Sequence, residues 1–175
     1  MNGIEIQPIT KENWEQAVAI KVDDDQKPFV PSVTESLANA YLKPWDEALD
    51  PYVLLTDGMI IGAFYISYTP GSKDNYWIGG FQIDKEHQGK GFGTRALSYI
   101  VEFMREWHPA CCVLSLTVEK ANSNAIRLYK KFGFISENKE NDYAEVIYTL
   151  NLAEKILGTD KLLIDSSLTG EFTVE

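Results

Sequence analysis

Apolar and polar residues alternate over residues 4–9, as in a half-buried strand. From residue 11 the period changes. Trp14, Ala17, Val18 and Lys21 recur at helical offsets, which predicts a helix over 11–22, interrupted by Asp23, Asp24 and Asp25. Ser32 and Glu35 have the spacing of a capping box, so a second short helix should follow and stop before Pro44. Two apolar runs, 51–56 and 59–68, are joined by Asp57-Gly58, a pair suited to the positive φ angles of a type I′ hairpin turn. A further strand is expected over 76–84. Its interior glycines, Gly79 and Gly80, mark either a bulge or close approach of a ligand, or simple conformational laxity.

Beyond residue 91, Ala96, Leu97, Ile100, Val101 and Met104 form a core-facing helical stripe that runs towards Trp107. Residues 111–118 are apolar and β-branched enough for a buried strand. A helix connects them to the previous strand, so the two should be parallel. A helix over 122–132 should end at Gly133 as a C-cap, and 134–136 with 145–152 should form a closing hairpin. The expected order is β-α-α-β-β-β-α-β-α-β-β.

At 175 residues the chain is one domain long and can bury a core without disulfides or metals. A net charge of −10 argues against a nucleic-acid partner and favours cationic ones, although acidity also serves solubility. The longest apolar run, 59–66, is too short to span a bilayer, and the polar, acidic N-terminus lacks a secretory pattern; a cytoplasmic protein without membrane partners is expected. Cys111 and Cys112 read as reduced packing residues. His87 and His108 lack metal-ligand spacing, so no metal is expected.

The segment Gln88-Gly89-Lys90-Gly91-Phe92-Gly93 lies between a strand and a helix. Strand, glycine-rich turn and helix N-terminus together cradle a phosphate, because first-turn N–H groups lack intrahelical partners and carry the positive end of the dipole. A turn that merely caps the helix is the plainer alternative. The spacing Q-x-x-G-x-G matches neither a P-loop nor the dinucleotide G-x-G-x-x-G. Together with Asn122, Ala125, Tyr129, Gly133 and Phe134, in the pattern N-x-x-A-x-x-x-Y-x-x-x-G-F, it resembles the GNAT family of N-acetyltransferases over about residues 3–152.

That resemblance implies a mixed, mostly antiparallel α+β sheet flanked by helices and opened between its fourth and fifth strands. It implies acetyl-CoA as acyl donor, held by Phe81, Gln82, Ile83, Gln88, Gly89, Lys90, Gly91, Phe92, Gly93, Thr94, Asn122, Ala125, Tyr129 and Lys131. Tyr129 would protonate the leaving thiolate, as a phenol protonated at neutral pH can. Glu119 is a candidate base; Asp84 or a water relay are others. A homodimer is a family-level expectation.

Residues 22–30 and 36–41, with Phe81-Gln82-Ile83-Asp84 running straight into the glycine turn, are most similar to bacterial diamine and spermine/spermidine acetyltransferases, which implies a polyamine acceptor held by Asp23, Asp24, Asp25, Glu35 and Asp84. Gly79-Gly80 departs from that pattern, where an acidic residue commonly precedes the aromatic. Other acceptors are an aminoglycoside-like small amine or a protein amine, and a CoA-binding module without turnover is the reading of another class. Residues 1–152 are expected to be the catalytic domain. Residues 153–175, rich in Ile and Leu, are expected to pack on it or on a partner subunit.

Overall fold

The computed structural model describes residues 3–153. The C-terminal segment therefore lies outside the described residues from 154 onward. Among the described residues, seven strands form one sheet in the order β1-β2-β3-β4-β5-β7-β6, where β1 is Glu5–Pro8, β2 Ala48–Thr56, β3 Met59–Tyr68, β4 Tyr76–Ile83, β5 Val113–Val118, β6 Ile135–Glu140 and β7 Val146–Asn151. Every neighbouring pair is antiparallel except β4 and β5. The expected element order holds throughout.

Helix α3, Phe92–Trp107, buries the five residues of its stripe against one sheet face, where α4, Ser123–Lys131, also packs. Leu97, Ile100 and Met104 are fully buried there, each worth roughly 1.5–3 kcal/mol of apolar burial. Helices α1, Trp14–Val18, and α2, Val33–Leu42, cover the other face over β2 and β3, with Ala17 and Val33 against Val53, Leu55 and Ala63.

Local signals act where they were expected. The Ser32–Glu35 capping box forms in both directions, and Asp57 and Gly58 take φ of 52° and 73° in the β2–β3 turn. Helix α1 is shorter than its periodicity predicts. The Lys21 N–H donates to Asp84 Oδ2 (2.9 Å) and the Lys21 carbonyl accepts from the Lys85 N–H (2.7 Å), so tertiary bonds pull the chain off the helical path, and Trp14 stays 46% exposed. Cys111 and Cys112 precede β5 instead of lying within it. Both are free, and burial pushes the Cys111 thiol up to about 12.

Two irregularities open the sheet. The register between β3 and β4 shifts between Ala63 and Tyr65, a bulge at which Gly80 takes φ 59°. Strands β4 and β5 then pair only at Trp77 and Ser115 among the described residues, so from Ile78 onward the edge of β4 that faces β5 has no strand beside it.

Candidate active site

The splay between β4 and β5 leads into a cavity of about 660 Å³. One end is the turn before α3. Gly89 and Gly91 adopt φ of 73° and 80° with open space where a Cβ would sit, and Gly91 is the N-cap without a side-chain bond. Arg95 is the first residue of α3 whose N–H bonds back to the turn, to the Gly91 carbonyl (3.2 Å). The N–H groups of residues 89–94 have no hydrogen-bond partner among the described residues. A diphosphate fits such an array: several donors, the positive end of a 16-residue helix, and no side chain filling the space.

Of the residues expected at the donor site, Phe81, Gln82, Ile83, Gln88, Gly89, Gly91, Phe92, Gly93, Thr94, Asn122, Ala125 and Tyr129 line this one cavity. Lys90 and Lys131 do not. The Lys90 ammonium donates to the Glu86 carbonyl (2.8 Å) and Lys131 is exposed. Gln88 has a role its motif does not disclose: its amide pairs reciprocally with that of Gln26 (2.8 and 2.9 Å) and donates to the Ile83 carbonyl (2.8 Å). Gln82 likewise reaches across to the Pro31 carbonyl (3.0 Å). The segment carrying Asp25, Gln26 and Phe29 is thereby fastened to the donor side.

Tyr129 stands on α4 with its ring against Phe134, and the α4 C-terminus is closed by the Phe134 N–H on the Tyr129 carbonyl (3.1 Å), with Gly133 at φ 89°. Burial pushes its phenol up to about 12, so it keeps its proton at neutral pH, and its hydroxyl has no protein partner among the described residues. Asn122 caps α4, its Oδ1 accepting from the Ala125 N–H (3.2 Å).

The acidic candidates separate sharply. Asp25 lines the cavity, whereas Asp23, Asp24, Glu35, Asp84 and Glu119 do not. Asp24 pairs with Lys27 in solvent (2.5 Å). The Glu35 carboxylate is consumed by the capping box, whose Ser32 hydroxyl and N–H lower its pKa. Asp84 accepts from the N–H groups of Lys21 and Glu86, a fastening role. Half-buried Glu119 sits in the turn after β5. Missing from the expectations are Tyr65, Thr117 and Glu145, all on the cavity wall. Only the alternation of β3 and β5 hinted at the first two, and nothing local marked Glu145. The charged side chains of the wall are Asp25 and Glu145; no lysine or arginine lines it among the described residues.

The tyrosine of β3 also explains a glycine. Its ring lies across β4 so closely that a Cβ at Gly79 would sit 2.1 Å from Tyr65 Cζ. Both β4 glycines thus serve packing: Gly80 the bulge, Gly79 the ring.

The family model described as Acetyltransferase (GNAT) family matches residues 14–134. The spermine/spermidine N(1)-acetyltransferase of Bacillus subtilis (strain 168) is 29% identical over 141 residues, covering 75% of this chain and 88% of the relative. Among solved structures, spermidine N-acetyltransferase from Vibrio cholerae in complex with CoA and spermine superposes with a TM-score of 0.67 at 15% identity, over 86% of this chain and 96% of that one. The aminoglycoside acetyltransferase AAC(6')-Ib, in complex with ribostamycin and coenzyme A, gives 0.72 at 16% identity, over 90% and 99%. At these identities the structural likeness speaks for the fold.

Proposed function

Because this chain belongs to the acetyltransferase (GNAT) family and is an N-acetyltransferase, we propose that it moves the acetyl group of acetyl-CoA to a primary amine of a polyamine such as spermidine or spermine. One observation carries this reading. Among the described residues, a single cavity joins an array of free N–H groups at residues 89–94 to a wall whose charged side chains are acidic alone. The first suits a diphosphate and the second a polycation.

Acetyl-CoA supplies an activated acyl group as a thioester and a diphosphate by which it can be gripped. The residues of this chain then divide the work. Backbone N–H groups of 89–94 hold the diphosphate, and the unpaired edge of β4 around Phe81, Gln82 and Ile83 is placed to polarise the thioester carbonyl where charge develops. The Tyr129 hydroxyl donates its proton to the departing sulfur; burial keeps that proton in place until the sulfur needs it. Asn122 caps α4 and so sets the position of Tyr129. Asp25 attracts the ammonium groups of the acceptor from the N-terminal side of the cleft. With Glu119 and Asp84 off the cavity wall, water is the proposed route for the proton that the attacking amine loses.

Release of free thiol from acetyl-CoA, followed with a panel of spermidine, spermine, an aminoglycoside and a lysine peptide, tests the reading. Turnover fastest with the polyamines, and weakened by added salt, is the expected result. Faster turnover of the aminoglycoside or the peptide would replace the acceptor. Acetyl-CoA binding without turnover of any amine would leave a binding module, against which the retained Tyr129 argues.

A further inference from the structure

Tyr65, Thr117 and Glu145 share the cavity wall, and the donor site and proton path proposed above leave them without a role. Phe64 and Ile66, Leu116 and Val118, and Val146 and Tyr148 face the larger core, so by strand alternation these three face the opposite side of the sheet. Glu145 is aimed by its own loop. Its N–H donates to Asn141 Oδ1 (3.0 Å), and its carbonyl accepts from the Asn141 N–H (3.0 Å). Its Oε2 accepts from Thr117 Oγ1 (2.9 Å) and Asn141 Nδ2 (2.6 Å). Oε1 has no hydrogen-bond partner among the described residues. Two neutral donors therefore fix the rotamer while one oxygen stays available. Tyr65 lines the same wall, and burial first, with the Glu145 charge second, pushes its phenol up, so the ring stays neutral there.

We propose that Glu145, on the cavity wall it shares with Tyr65, binds an ammonium group of a polyammonium acceptor, one that stays protonated throughout the reaction, and so selects polycations over monoamines. This rests on the proposed polyamine acceptor and names the residue that would enforce it. A carboxylate oxygen and an aromatic face are the two partners an alkylammonium prefers, by charge-assisted hydrogen bonding and cation–π attraction. Neither group is needed by an acceptor with a single amine, whose only nitrogen must be neutral to attack.

Glu145→Gln separates the possibilities, because the amide oxygen can still accept from Thr117 and Asn141 and keep the loop in place. Steady-state kinetics with spermidine and with hexylamine, and calorimetric titration of acetyl-CoA, are measured on the unaltered protein, Glu145→Gln and Glu145→Asp. The KM for spermidine should rise about tenfold in Glu145→Gln, as loss of a charged hydrogen bond implies. Turnover of hexylamine and affinity for acetyl-CoA should stay within about twofold, a change too small to represent a lost bond. Glu145→Asp should recover part of the loss. Equal spermidine kinetics in Glu145→Gln and the unaltered protein, or equal losses on both amines, would overturn the assignment alone. An unaltered protein that acetylates hexylamine but not spermidine would overturn the polyamine acceptor and this assignment with it.

Discussion

The side of the cavity proposed for the donor and the side proposed for the acceptor are built in opposite ways. The donor side comes from one continuous stretch, β4 through α4, in which each group follows from its neighbours: glycines at positive φ, then free N–H groups, then Tyr129 seven residues after the cap Asn122. The acceptor side is assembled from Asp25, Tyr65, Gly79, Thr117 and Glu145, which meet only in the folded sheet. Chemistry common to every acceptor can reside in a compact motif. On the proposed assignment, selection among acceptors resides in side chains from distant segments, each of which can change without disturbing the motif.

Substitutions should respect this division. Tyr129→Phe should lower kcat by about 100-fold or more, the scale of a lost general acid, while acetyl-CoA affinity measured by calorimetry changes little. A wild-type rate in that variant would remove the hydroxyl from the reaction. Gly79→Ala should act on the other side. A methyl group 2.1 Å from Tyr65 Cζ must displace the ring, and kcat/KM for spermidine should fall about tenfold with acetyl-CoA affinity retained. If acetyl-CoA affinity fell equally, the two sides would not be separable at β4.

Gln26→Ala probes the seam between them. Gln26 belongs to the acceptor segment, yet its amide pairs with Gln88 in the phosphate turn. Its loss removes both bonds of that pair and should weaken acetyl-CoA binding by at least about threefold, and by reciprocity any effect of acceptor on donor affinity should be matched by donor on acceptor. Unchanged donor affinity would make the amide pair a passive contact.

The smallest effect concerns alkaline pH. Cys111 and Tyr129 both have pKa values raised by burial, to about 12 in each case, so folding disfavours their ionised forms. Their contribution to stability is complete below the unfolded thiol value of about 9 and is lost as pH rises from there towards 12. Melting temperature should decline modestly across that window, and Cys111→Ala should flatten the decline. Activity should not fall over the lower part of the window, since Tyr129 still carries its proton while more of the amine becomes neutral.

Residue patterns alone identified the α3 stripe, the capping box, the hairpin turn, the glycine turn before α3 and the α4 helix, because helix periodicity, caps and positive-φ turns are decided within about four residues of chain. They also suggested a bulge at Gly79-Gly80, without revealing that one glycine yields to a ring from β3. Tertiary structure alone shortened α1 by drawing Lys21 to Asp84, withdrew Asp84 into a fastening role, and brought Glu145 beside Thr117. Those outcomes depend on which strands lie side by side and where β4 parts from β5. Contacts between segments tens of residues apart leave no periodic trace in either segment, so they become legible only once the sheet has formed.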